Sequence, residues 1–467
     1  MRVITTSFMI TLLIIAGCNR SDNRSEFKKV ELSDADRSEL LLELKNTFFH
    51  HTVNPWFPGA IDSEYGGFIT NFNHDWSQNE NSNKSLVTQA RLIWTASHAT
   101  AFVENRDEMI GYARHGYTFL MEKMYDHEFG GFFDVVDRQG NPVPDENGDI
   151  IKDSYSISFA IYALAAYAAA SGEREALIAA TNTFRWLDSH AYDNQNGGYF
   201  NYMQRDGTAI HEWYNGIPPK GQNTSIHLME AFAELYHICP DPTVGIRLEE
   251  LLELVRDVIR VNPGTLTLYS EIDWTPVSFA GMGEQTIKNN LELDHISYGN
   301  NIKAAAMLIE ASYGLALEDD SLTFKYAKQM VDFALKNGFD SKNGGFFRAG
   351  LQIKDGKFTI VDDSKSWCAQ AEGLNTLFLM ADLYPDEYDK YMGSFIKLWE
   401  YIKNNQLDHE YSGWYQFGLD TTPEAKFGPK GHHLKASYHD ARSLMTIIRE
   451  MSAAEIHRRE IQVAPCD

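Results

Sequence analysis

Cysteine is scarce: 467 residues contain four, and Cys239, Cys368 and Cys466 are too scattered to frame a disulfide core or a thiolate metal site. Basic charge is scarce as well. Lys and Arg number 41 against 65 Asp and Glu, and the net charge of -24 repels nucleic acid and anionic lipid headgroups, which removes DNA and RNA as partners. A Gly-rich phosphate loop is missing, and His432 and His433 are adjacent rather than at helical ligand spacing, so neither metal nor cofactor is expected. The apolar stretch from Val3 to Ile15 is too short to span a bilayer.

That stretch reads instead as an export signal. Arg2 precedes it, polar residues follow it, and Ile15-Ala16-Gly17-Cys18 resembles a bacterial lipobox. The expectation is a signal peptide over 1–17, a linker over 18–33 beginning at lipidated Cys18, and an exported bacterial lipoprotein. Such a protein would sit at the periplasmic or outer cell surface and touch the membrane only through its anchor.

What the chain has in quantity is apolar residues, 43%, and an internal repeat. DSEYGGF, DHEFGGF, DNQNGGY, DSKNGGF and DHEYSGW begin at Asp62, Asp126, Asp193, Asp340 and Asp408, and a sixth, degenerate copy is expected near LYSEIDWTP, 268–276. Between copies, apolar residues recur at three and four spacings. This periodicity predicts twelve helices near 34–50, 84–103, 106–124, 153–171, 173–190, 222–238, 243–261, 296–315, 321–338, 365–383, 386–404 and 436–453. Six stacked hairpins of this length close into an all-α (α/α)6 barrel over 34–455, leaving a tail over 456–467. Each glycine loop follows an odd helix and precedes an even one. All six loops and all six even-helix N-termini therefore share one face, where a pocket is expected.

The first turns of the even helices supply the candidates: Arg91; Tyr155; Asn223 and His227; Asn300 and Lys303; Trp367 and Glu372; Tyr438, His439 and Arg442. Singly, each has an ordinary structural explanation as a cap, a satisfied core contact or a surface pair. Polar groups recurring at one end of six inner helices point to a shared cavity, in which Trp and Tyr suit the apolar faces of sugars.

Several of these motifs, in order KSLVTQARLIWTASHA, YALAAYAAASG, NTSIHLMEAFAELY, ISYGNNIK, WCAQAEG and YHDARSLM, resemble those of the N-acylglucosamine 2-epimerase and cellobiose 2-epimerase superfamily. Members of that family open an aldose ring, remove the proton next to C1 and return it on the other face, using two histidines. The resemblance implies that His439 is one of them, with Arg442 beside it, and that Arg91, Tyr155, Asn223, His227 and Glu372 occupy pocket positions. It also exposes a departure. Where the family resembles YGHxIE this chain has YGNNIK, so Asn300 stands at the second histidine position and Lys303 at the glutamate; Cys368 and Leu434 replace two aromatics.

An amide cannot exchange protons near neutral pH. Arg91, Lys303 and Arg442 are therefore expected to form a cationic wall suited to an anionic oligosaccharide, and the reaction expected first is β-elimination on a uronate with His439 as base and Tyr155 or His227 assisting. Sugar 2-epimerase or aldose–ketose isomerase chemistry is the alternative, and a non-catalytic oligosaccharide-binding relative the third reading. Asn223, Asn300, Trp367, Glu372, Tyr438 and the three cations are the expected substrate contacts.

Overall fold

The computed structural model describes residues 29–261, 263–353 and 356–463, with side chains described as far as residue 455. The signal peptide, Cys18 and most of the linker lie outside the described residues. Thirteen α-helices are present among the described residues: α1 (Asp34–Thr47), α2 (Leu86–Ala99), α3 (Arg106–Phe119), α4 (Ser154–Ser171), α5 (Arg174–Ala191), α6 (Gln222–Ile238), α7 (Pro242–Glu253), α8 (Glu284–Asn289), α9 (Tyr298–Gly314), α10 (Ser321–Gly338), α11 (Trp367–Leu383), α12 (Tyr388–Tyr401) and α13 (His439–Val463). α8 is an unexpected single short helix in the connection to α9, and α13 runs well past the expected end at 453.

Contacts between helices define two rings. α2, α4, α6, α9, α11 and α13 touch in sequence, and α13 returns to α2, which closes the inner ring; α1, α3, α5, α7, α10 and α12 pack outside it. Sequence explains the division. α4 is apolar nearly all round, so it can be stable only when covered on every side, whereas α5 and α12 carry one buried stripe each. The observed architecture is the (α/α)6 barrel.

Glycine loops join each outer helix to the next inner one, and in every copy the aspartate backbone pairs with the glycines. Gly66, Gly130, Gly197 and Gly344 adopt φ of 83°, 74°, 72° and 87°, and Ser412 takes φ 68° in the fifth copy. A buried lysine just ahead of each following inner segment completes the loop. Lys84, Lys152, Lys220, Lys365 and Lys430 ion-pair with Asp62, Asp126, Asp193, Asp340 and Asp408, and every one of these lysines is essentially without solvent exposure. These pairs pin one hairpin to the next.

The sixth copy is not at 268–276. Thr267 N–H donates to Ile259 O just as Phe133 donates to Met124 O and Phe200 to Ala191 O, which puts the sixth loop between the paired strands Arg260–Val261 and Thr265–Leu266. Here Val261 occupies the aspartate position and Ile296 the lysine position. The loop is also held differently: Asn301, the fourth residue of α9, accepts from Leu266 N–H, as Gln89 and Gln370 at the fourth positions of α2 and α11 do from Phe68 and Phe346. Asn301 is thus a scaffold residue. The segment 268–276 instead forms a strand, Tyr269–Ser270, paired with Lys220–Gly221 at the cavity rim.

Candidate active site

A cavity of about 610 Å³ opens on the loop face, walled by the N-terminal turns of the inner helices. Its floor follows from helical register. Arg91, Phe159, His227, Lys303 and Glu372 are each the sixth residue of their helix, so one turn and a half below the loops they all point at the barrel axis. Tyr155, Asn223, Asn300 and Trp367 line the upper wall, and His439, the first residue of α13, closes the ring.

His439 Nδ1 lies 2.8 Å from Glu372 Oε1. Burial first, and then the charge of Arg91, lower this histidine to about 4 despite the glutamate, so the ring is neutral near pH 7. A carboxylate only accepts, so Nδ1 carries the hydrogen and Nε2 keeps its lone pair. Nε2 faces Arg91 Nη2 at 3.4 Å; the same guanidinium atom donates to Tyr155 Oη at 3.1 Å, and Nη1 donates to the Leu434 carbonyl. Arg91 also stacks on the Phe159 ring at 4.5 Å and has no carboxylate partner among the described residues. It is therefore the pocket cation left free to meet developing negative charge.

His227 is arranged differently. Its Nδ1 is 3.0 Å from Glu230, and Lys303 Nζ stands 3.2 Å from Nε2 and 3.3 Å from Nδ1, while burial and then Lys303 lower it to about 3. The two histidine rings are 6.5 Å apart, on different sides of the cavity floor. Glu372 would be raised by burial, but Arg442, Lys303 and the His439 hydrogen bond bring it to about 2.

Lys303 and Arg442 do not form a cationic wall. Lys303 pairs with Glu230 at 3.0 Å, and Arg442 holds Glu230 at 3.2 Å, Glu372 at 2.9 Å and Glu310 at 2.7 Å. Three glutamates answer these two cations, so the premise for a uronate substrate, and with it the β-elimination reading, falls away. Tyr438 and Arg442 are also displaced from the expected role: Tyr438 is fully buried with its hydroxyl donating to Glu230, and both stand behind the wall rather than on it. His295 lies at the rim with Nδ1 against the Leu291 carbonyl.

Sequence reasoning passed over Glu230, Glu310 and Gln222. Glu230 follows His227 by three residues on one helix face, a spacing visible in HLME. Gln222, 2% exposed, lines the cavity with both amide atoms unpartnered, a donor and an acceptor ready for a hydroxyl.

A closed helical double ring with neutral, carboxylate-held imidazole beside an unpaired guanidinium defines a barrel whose pocket is equipped for proton transfer at an oxygenated carbon. Residues 67–437 match the N-acylglucosamine 2-epimerase (GlcNAc 2-epimerase) family, and the chain belongs to it. It is 29% identical over 420 residues to a cellobiose 2-epimerase of Ruminococcus albus, covering 88% of this chain and 98% of that protein. A D-mannose isomerase of Marinomonas mediterranea is 25% identical over 404 residues, covering 86% and 95%. The solved cellobiose 2-epimerase of Spirochaeta thermophila superposes with a TM-score of 0.76 at 28% identity, covering 90% of this chain and 98% of that one.

Proposed function

We propose that the protein is a sugar 2-epimerase or isomerase acting at the reducing end of a neutral sugar, with cellobiose the first substrate to test. The observation that carries this reading is His439: neutral, oriented by Glu372, and presenting Nε2 beside Arg91. In the open-chain aldose, His439 removes the proton on C2, and the C1 oxygen gathers negative charge that Arg91 and the Asn300 amide stabilise. Delivery of a different proton to C2 from the opposite face gives the 2-epimer, and the proton held by His439 then passes to solvent. His227, across the cavity floor, is the group on the other side; neutral as it stands, it delivers a proton only after taking one at Nε2, for which Lys303 Nζ at 3.2 Å is the neighbouring donor.

A second reading is favoured by that same contact and by Asn300. If Lys303 keeps the His227 lone pair engaged, His439 is the single free base, and one base can carry a proton from C2 to C1 on one face, giving a ketose. Incubation in deuterium oxide separates the two. Deuterium at C2 of an inverted aldose supports epimerisation, a ketose supports isomerisation, and the formation of neither product from cellobiose, glucose or mannose overturns both.

The N-terminal Val3–Ile15 stretch and Cys18 support export and lipid anchoring. Cys18→Ala should move the protein from the membrane fraction to the soluble one, and an unchanged distribution would contradict the anchor.

A further inference from the structure

A second cavity, of about 650 Å³, lies at the far end of the barrel and is walled by residues of all six inner helices together with Leu32 and, on α1, Arg37 and Leu40. Its volume is in the range of small-molecule sites. Arg442 forms part of this cavity and bonds Glu372, which lines the first, so the Arg442–Glu230–Glu372 cluster is the partition between the two.

We propose that this cavity is a second binding site for a small neutral polyhydroxylated molecule of hexose size. Two independent observations point to a ligand. Trp94 Nε1 and Asn375 Nδ2 both line the cavity without a hydrogen-bond partner, on side chains only 4% and 2% exposed. Buried donors of this kind are normally satisfied, and leaving them unmet is unfavourable. Opposite them stand acceptors that remain open. The Glu310 carboxylate is fixed by Arg442 yet 43% exposed, and Glu234 is fixed by His98 at 3.0 Å yet 20% exposed.

Charge and shape narrow the class. Arg37, Arg442 and Arg449 share the lining with Glu234, Glu310 and Asp382, so neither sign of charge is matched, whereas hydroxyl groups both accept from Trp94 and Asn375 and donate to the carboxylates. Phe102, Tyr313 and Phe378, which keep exposed ring surface along the cavity, supply the aromatic surface against which the C–H face of a sugar ring packs. The proposal does not depend on the reaction assigned to the other cavity.

The test uses the full chain and methyl β-D-glucopyranoside, whose locked ring cannot be turned over. Among the nine tryptophan indole N–H resonances, that of Trp94, assigned with Trp94→Phe, should shift along a saturating curve as the glycoside is added, and Trp367 reports the first cavity. Asn375→Leu should weaken the Trp94 response at least tenfold and leave the Trp367 response in place, which also certifies the fold. Should that variant not fold, Asn375→Asp, which removes the idle donors and keeps the shape, carries the same expectation. A Trp94 resonance that stays still up to the solubility limit of the glycoside, or one whose response survives loss of the Asn375 amide, overturns the proposal.

Discussion

Five sextants of the barrel are stapled by a buried Asp–Lys pair and one is not. The exception, from α7 to α9, puts Val261 and Ile296 at the paired positions, carries the extra helix α8, and presents Asn300 and Lys303 to the active-site cavity. The contrast separates two uses of buried charge. Lys220, for example, pairs with Asp193 and the Gly197 carbonyl and lines neither cavity. Lys303 shares Glu230 with His227 and Arg442, and it faces the space where a substrate would sit. Charge that repeats with the fold holds the fold, and charge that breaks the repeat belongs to the site.

The comparison is broken most severely at His439. Replacing it by Ala should lower turnover by about 10²–10⁴, the usual contribution of general-base catalysis, while thermal unfolding stays within a few degrees of the parent. An active His439→Ala enzyme would move the base elsewhere. Lys220→Ala should do the converse. It strands Asp193 in a buried position, and breaking such a pair destabilises by about 3–5 kcal/mol, readable in urea unfolding. The double variant Asp193→Val/Lys220→Ile, which copies the sixth sextant, should recover most of that loss. If the double variant were no more stable than the single, the apolar pair at 261 and 296 would owe its tolerance to something other than pairwise replacement.

Acid should distinguish the two regions by where each yields. Site histidines have pKa values depressed in the fold, about 4 for His439 and about 3 for His227 against 6.5 for the free group. Their contribution is complete above about 6.5 and is lost as the pH falls toward those folded values. Staple carboxylates are depressed as well: burial would raise Asp62, Asp193 and Asp340, but their lysines, hydrogen bonds and, for Asp62, Arg138 hold all three at about 2 against 3.8. Their contribution is complete above about 4 and goes only between about 4 and 2. Unfolding temperature plotted against pH should therefore decline in two stages, and His439→Ala should lessen the first, to which His227 and His432 also contribute, while sparing the second. The acid limb of kcat/KM should fall near 4 rather than 6.5, and a limb at 6.5 would mean the base is not the buried imidazole.

How much of this was legible in the sequence divides along the same line. Glycine loops, helix periodicity and the shared face of the even-helix N-termini are local or periodic, and they led directly to the barrel and to Arg91, Tyr155, His227, Lys303, Glu372 and His439 around one cavity. The sixth loop was misassigned because Val261 and a single Gly264 replace both the aspartate and the glycine pair on which the pattern rests. The cationic wall was misread for a different reason. Its neutralising partners come from other helices, Glu230 on α6 for Lys303 on α9 and Glu310 on α9 for Arg442 on α13, and one sequence carries no signal of pairings made only when the ring closes.

The smallest expected effect tests the sextant that departs. Asn300 lines the cavity, and its backbone N–H is already held by the Ser297 cap, so its side chain can change without disturbing the start of α9. Asn300→His places a titratable group at the position that the sequence resemblance assigns to a second histidine. If His227 is disabled as a second base by its contact with Lys303, the new imidazole should increase the proportion of epimer over ketose by severalfold, with little change in total C2 exchange because His439 still makes the first abstraction. If His227 already serves as the second base, the product ratio should stay where it was. The ratio of the two products, measured by NMR on one substrate, therefore tells whether the sixth sextant lost a catalytic group or replaced it from α6.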